Sequence, residues 1–174
     1  MGAQDTTRAK LPGHDLELWK AFMRVSQLLP SALDDALRGM GETLPRYEIL
    51  AVLASNAAGL RMSELGRLAL VSKPRLSVHV GELLNEGLVE RGPDKTDGRA
   101  VVVTITRAGR RHLTRLAPDH VRQARDLVID CIPPADRPVV LRSLAAILLA
   151  LGDTWQPGAD TLSERLSPIH RSVS

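Results

Sequence analysis

The sequence predicts a mainly α fold with a small β-wing: a winged helix-turn-helix domain carrying dimerisation helices at its N- and C-terminal sides. Three observations predict it. Residues 60–106 read as short helix, turn, second helix, then two strands around a charged loop. The composition is rich in Leu, has only 2% aromatics and is 25% charged, which favours helices packed on helices. Finally, residues 136–151 form a helical stretch that is apolar on nearly every face.

Taken in order, residues 1–13 are polar and read as a flexible tail. Over 15–29, Leu18, Phe22, Val25 and Leu29 recur at helical spacing with Trp19 beside them, and Pro30 is expected to end that helix. Ser31 is expected to cap a second helix through Arg38, closed by Gly39 and Gly41. Pro45 then starts a third over 47–55, with Ile49, Leu50 and Val52 facing inward. Residues 61–70 make the first helix of the helix-turn-helix. Its partner starts at Ser72 and runs to Asn85, with Gly87 as C-cap and Leu76, Val80, Leu83 and Leu84 as the inward stripe.

Strands are expected at 88–91 and 101–106, joined by a turn rich in Gly, Pro and Asp. Thr106 caps a long helix towards Ile132, which Pro133-Pro134 breaks. A last helix spans 136–151 and stops at Gly152. Beyond it, Trp155, Leu162, Leu166 and Ile169 sit in a polar tail with room for one short helix. The expected organisation is thus a tail (1–13), a dimerisation region (14–42 and 107–152), the winged helix-turn-helix (43–106) and an extension (153–174). A helix apolar on all sides must be buried on several, which a C-terminal helix of this chain achieves most economically against a two-fold copy.

Charge is local. Residues 61–111 hold ten Lys or Arg against six Asp or Glu, an excess of +4 that exceeds the whole chain's +3. An anionic partner for that region follows. Enzyme chemistry finds no support: the chain has no Gly-rich phosphate loop, no His-Glu-x-x-His and no Ser-His-Asp grouping, and its five histidines are scattered. No cofactor or metal site is expected, since His112 and His120 lie eight apart without further ligands. The single Cys131, in an apolar stretch with no adjacent cation, reads as a packing residue. One cysteine, no apolar leader and no apolar run near the ~20 residues of a membrane span point to a cytoplasmic protein.

The candidate interface residues follow from the same charges. Lys73 and Arg75 beside Ser72 and Pro74 put cations on the positive end of a helix, an unfavourable placement unless an anion docks there. Ser77, Val78 and His79 fall towards the outer face, where they are sized to meet base edges and a thymine methyl. Asp97 at the loop tip is expected to orient the guanidinium of Arg99 towards a narrow minor groove, with Arg91 and Lys95 as flanking phosphate contacts. A plain Asp-Gly turn explains the same residues. The rival reading of the whole domain, a winged helix that binds only protein, is opposed by the charged first turn and loop tip.

These segments resemble the MarR regulators, bacterial winged-helix dimers that bind pseudo-palindromic operators. The matching stretches are Leu44-Pro45-Arg46-Tyr47-Glu48-Ile49-Leu50, Leu60-Arg61-Met62-Ser63-Glu64-Leu65, Ser72-Lys73-Pro74, Glu86-Gly87-Leu88-Val89-Glu90-Arg91, Asp97-Gly98-Arg99 and Thr106-Arg107-Ala108-Gly109-Arg110. The resemblance covers about residues 15–150. It implies a homodimer that regulates transcription, by this reading a repressor, on double-stranded DNA with an inverted-repeat operator; Arg61 and Ser63 join the candidate DNA contacts. It also implies a small-molecule effector, bound near Trp19, Phe22 and Tyr47. The chain departs from the family pattern where Val78 and His79 replace a frequent Arg-Leu pair, and where Gly81 and Glu82 replace Asp and Arg. The phosphate grip is therefore expected to shift towards Lys73 and Arg75.

Overall fold

A computed structural model of the chain describes residues 10–94, 97–153 and 155. Lys95 and the tail residues Leu162, Leu166 and Ile169 lie outside the described residues. Among those described, six α-helices and one two-stranded antiparallel sheet match the predicted class.

The first helix, α1 (Gly13–Gly39), corrects the expectation of two. Pro30 lies inside it rather than ending it. A proline within a helix removes one hydrogen bond and costs ~3 kcal/mol. Here the far side is held independently: Leu37 is fully buried, and the Asp34 carboxylate accepts the Leu44 N–H and the Arg38 Nε–H, both at 2.7 Å. Next, α2 (Leu44–Ser55) is the central helix. Tyr47 and all of residues 49–53 are buried, as an almost wholly apolar sequence dictates.

The helix-turn-helix consists of α3 (Met62–Leu68) and α4 (Lys73–Asn85). The first is shorter than the predicted 61–70 because the chain turns into a Schellman motif. Val71 N–H reaches back to the Gly66 carbonyl at 3.0 Å, and Leu70 takes the left-handed position at φ 53°. Leu70 is the one non-glycine with positive φ among the described residues, and its side chain is 81% exposed. At the end of α4 the same motif is made by the predicted Gly87, at φ 68°.

The wing pairs β1 (Val89–Pro93) with β2 (Val101–Ile105), in the register Val89↔Ile105 to Pro93↔Val101. A bridge from Leu60 to Val103 adds a short third edge. β1 starts and ends later than the predicted 88–91. Thr106 caps α5 (Arg107–Ala124) as predicted: its Oγ1 accepts the Gly109 N–H at 3.0 Å and donates to the Gly87 carbonyl at 2.8 Å. Gly109 packs so closely that an added Cβ would run into the Leu88 carbonyl oxygen and lie 2.8 Å from Ile105 Cγ1. This Thr-x-x-Gly joint fixes the wing onto α5.

The predicted helix to Ile132 is not uniform. After Ala124 it widens into a π-helical segment, Arg125–Ile129, where Asp130 N–H bonds the Arg125 carbonyl at 2.8 Å. Cys131 is exposed there, not packed, with its thiol towards the Asp126 carbonyl. The last helix, α6 (Arg137–Ala150), buries none of its residues within its own chain. No helix among the described residues is long and apolar enough to cross a membrane.

Gly109→Ala is expected to destabilise the fold by at least ~3 kcal/mol, since backbone, not a flexible side chain, blocks the added methyl. Gly81→Ala has nothing within 4 Å of the new Cβ, so it should stabilise α4 by ~0.5–1 kcal/mol. Thermal unfolding of both variants checks this. Equal and small effects would show that α5 does not pack on the wing this closely.

Candidate nucleic-acid interface

The inward stripe of α4 is Leu76, Val80 and Leu83, all buried as predicted, with Leu84 half-buried at its edge. At 100° per residue this stripe fixes where every other side chain goes. Pro74, Val78, Gly81 and Asn85 point straight outward, and Val78 is 60% exposed. Lys73 and Ser77 lie on one flank, both exposed, with the Ser77 hydroxyl donating to the Lys73 carbonyl at 3.2 Å. Arg75, His79, Glu82 and Glu86 form the other flank. Ser72 occupies the N-cap position, but its side chain makes no capping bond, which leaves first-turn N–H groups without a side-chain acceptor from it.

His79, expected towards the outer face or its edges, takes an edge. Only 17% of its side chain is exposed, and Nδ1 stands 3.3 Å from Glu82 Oε2. It belongs to the flank that faces α2. Arg75, on the same flank, sits close enough to act on Asp34. Burial works to raise the Asp34 pKa, but the Leu44 N–H, the Arg38 guanidinium and the more distant Arg75 outweigh it and hold the carboxyl below its ordinary range. Lys73 and Arg75 therefore stand on opposite sides of the helix end, both exposed.

In the wing, Asp97 does not hold the Arg99 guanidinium as expected. Its carboxylate accepts the Arg99 backbone N–H at 3.2 Å and pairs with Arg61 Nη2 at 3.0 Å. Arg61 reaches Asp94 with the same group at 3.1 Å. Arg91 and Arg99 are exposed along with Ser63. The Arg99 side chain has no ion-pair partner among the described residues. The Arg61 pairings span 33 and 36 residues of sequence, and nothing in the local pattern announces them.

A second cluster, missed from sequence, lies behind α4. Glu42 is 2% exposed, the one buried charged residue among those described. It accepts from Arg46 Nε at 2.6 Å, His112 Nε2 at 2.8 Å and the Thr43 N–H at 2.9 Å. Arg115 Nη2 lies 3.1 Å from His112 Nδ1, which extends the cluster along α5. The other face of Arg46 grips Glu86 bidentately, at 2.8 and 2.6 Å. Arg46 is held so firmly in its charged form, by Glu86 first and then Glu42, that its pKa rises. A cleft of about 620 Å³ opens among Arg38, Thr43, Arg46, Glu82, Glu86 and His112. The Glu42-x-x-x-Arg46 spacing was the one visible signal.

The three aromatics predicted to line a ligand cleft separate. Tyr47 is buried, its ring centroid 4.2 Å from that of His120, and burial pushes its hydroxyl up to about 12. Trp19 and Phe22 stand exposed on α1. Beside Tyr47, burial lowers the His120 pKa and raises that of Glu48. The buried polar atoms His120 Nδ1 and Gln123 Oε1 have no partner among the described residues.

Comparison with known proteins places the fold in one family. Residues 41–100, from the turn before α2 to the loop between the two wing strands, match a family model described as the MarR family. The chain is similar in structure to AbsC, a MarR family transcriptional regulator from Streptomyces coelicolor, with 30% identity and a TM-score of 0.75. That match covers 82% of this chain and 97% of AbsC. A second MarR family regulator of the same organism, solved in complex with DNA, is 31% identical at a TM-score of 0.71, over 87% of this chain and 97% of that one. In sequence the chain is 30% identical over 89 residues to the transcriptional activatory protein BadR of Rhodopseudomonas palustris, half of this chain and about half the length of that relative.

The Glu42 cluster yields a stability prediction. Arg46→Ala strands a buried carboxylate and is expected to cost about 3–5 kcal/mol. Glu86 is held below its ordinary pKa of 4.5, chiefly by the Arg46 hydrogen bond against an opposing effect of burial. A depressed carboxylate stabilises above its unfolded pKa, and that stability is lost as pH falls through the folded value. The gap between the native protein and Arg46→Ala should thus be full near neutrality and shrink below roughly pH 4. Thermal unfolding across pH checks it; a gap unchanged in acid would show that Arg46 contributes by packing alone.

Proposed function

The chain belongs to the MarR family of transcriptional regulators, and from that premise we propose that it is a DNA-binding regulator that acts as a homodimer on an inverted-repeat operator. It represses where that operator overlaps a promoter. The observation that carries this reading is the exposed cationic entrance of α4 beside an exposed, arginine-bearing wing. Lys73 and Arg75 straddle the groove and meet phosphates, with Ser72, Pro74 and Ser63 lining the approach. Ser77 and Val78 read base edges, while His79 braces α4 from behind. Arg91, Lys95 and Arg99 engage the backbone and minor groove from the wing, and Asp97 shapes its tip.

The homodimer rests on uncovered apolar surface. Leu18, Trp19, Val25 and Leu28 on α1, with Val139, Leu149 and Leu151 near and along α6, are more than half exposed in the single chain. So large an apolar face marks an interface. A second copy covers it through a two-fold axis and places the two α4 helices in successive major grooves. Residues 14–42 and 107–152 form this dimerisation region around the DNA-binding residues 43–106. A small-molecule effector enters between the two parts, where Tyr47, His120 and Gln123 offer a ring and unpartnered polar atoms, with Trp19 and Phe22 nearer the dimer face.

Light scattering at micromolar concentration should give twice the chain mass, and footprinting should protect two half-sites about one helical turn, ~34 Å, apart. If the dimer neutralises about 6–10 phosphates, affinity should fall ~10³–10⁵-fold between 50 and 200 mM salt. Lys73→Ala should weaken all duplexes alike and flatten the salt slope by ~1 unit for each phosphate no longer neutralised. A monomer, or binding indifferent to salt, would overturn the proposal.

A further inference from the structure

Arg61 stands at the start of α3, where a helix-capping side chain is ordinarily useful, yet it makes no capping bond. Its guanidinium turns across to the wing instead. Nε and Nη2 both donate to Asp94 Oδ2, at 3.3 and 3.1 Å, and Nη2 also donates to Asp97 Oδ2 at 3.0 Å. Its backbone is fixed from the other side. The preceding residue, Leu60, exchanges two backbone hydrogen bonds with Val103 on β2, at 3.0 and 2.8 Å. Before that, Gly59 takes φ 83° with no room for a side chain against Thr104 and Val103. Arg61 thus starts on the β2 edge and ends at the tip of the hairpin.

The tip has its own fragile closure. Asp94 N–H bonds the Ala100 carbonyl at 2.9 Å, and Ala100 N–H bonds the Asp97 carbonyl at 2.8 Å. Without a cation, two carboxylates would face each other across that turn, on a surface that approaches DNA phosphate. Arg61 pairs with both and ties them together. A lysine ammonium carries three donors but not the rigid planar fork that also sets Nε on Asp94 and fixes the angle between the two carboxylates. The Asp94 side chain is only 17% exposed, so the pair is partly shielded from water and salt.

We propose that Arg61 is a positioning residue for DNA binding, a clamp that sets the wing so that Arg99 is presented to the groove, and not itself a phosphate contact. This rests on the DNA-binding reading above and assigns Arg61 a different role within it. The two roles separate experimentally. A phosphate contact is kept by lysine, adds to the effect of Arg99, and leaves the free wing unaltered. A clamp fails with lysine, acts through Arg99, and loosens the wing in the absence of DNA.

The test has two arms on the full-length protein. In the first, hydrogen–deuterium exchange of the free protein should show faster exchange in the peptide containing Ala100 for both Arg61→Ala and Arg61→Lys, with α2 protection unchanged. Unaltered exchange in both variants would overturn the clamp. In the second, titration against a selected operator duplex should show Arg61→Ala and Arg61→Lys each about tenfold weaker or more, the order expected when one oriented arginine no longer engages DNA. Arg61→Ala combined with Arg99→Ala should bind no more weakly than Arg99→Ala alone. Additive losses, or full rescue by lysine, would overturn the positioning role. Failure of the unmodified protein to bind any duplex would refute the DNA-binding reading itself, a result distinct from either.

Discussion

The structure hinges on one buried carboxylate. Glu42 has lost its water, and a lone ion in that position would cost several kcal/mol. Three donors from three places offset that cost: the next backbone amide, Arg46 one helical turn on, and His112 seventy residues away on α5. Because those donors must converge on one pair of oxygens, the α1–α2 turn, the start of α2 and the start of α5 are set relative to one another. Arg46 then extends the same constraint outward. Its free edge seizes Glu86, at the C-terminal end of α4, so that helix is oriented from its far end by a charge network and from beneath by Leu76, Val80 and Leu83. A network of this kind specifies geometry more than it adds stability, since an apolar filling would pack as well without fixing an angle.

That division also explains what the sequence made legible. Features written within one or two turns of a helix were readable: the inward stripe of α4, the Gly87 terminus, the Thr106 cap and the Asp-Gly turn of the wing all depend on neighbours at i to i+5. The class of fold followed from them. What escaped was set by distance or by balance. Pro30 carries a strong local rule for termination, and the rule lost because the helix beyond it is held by contacts the sequence does not display. The π-helical segment after Ala124 has no residue signature at all. Of the site, the cationic entrance of α4 was legible as a violation of helix-end electrostatics, whereas the Arg61 clamp and the Glu42 cluster join residues 33 to 70 positions apart.

The apolar faces of α1 and α6 show a different kind of legibility. Their sequences demanded burial, and the single chain does not supply it: α6 has no buried residue, although most of its side chains are aliphatic. Apolar surface of that extent is the part of the molecule that is unfinished on its own. The same reasoning places Trp19 and Phe22. As two of only four aromatics in the chain, they were natural candidates for a ligand cleft, yet α1 turns them outward, towards whatever covers that helix.

Charge placement on α4 shows how the two constraints meet. The flank bearing His79, Glu82 and Glu86 looks back at α1 and α2, so its charges serve internal geometry, while Arg75 at its start stays exposed at the helix entrance. The flank bearing Lys73 and Ser77 and the outward row of Pro74, Val78 and Gly81 are left free to meet a partner. That outward row is small and nearly uncharged, which limits it to shape and apolar contact with base edges. Long-range attraction to a polyanion must come from the helix entrance and the wing instead. A wing that supplies attraction while carrying two aspartates is weakened unless those carboxylates are offset by a cation, and Arg61 hydrogen-bonds to both. The two charge networks thus serve one end. Arg46 sets α4, Arg61 sets the wing, and the surface between them presents its remaining cations outward.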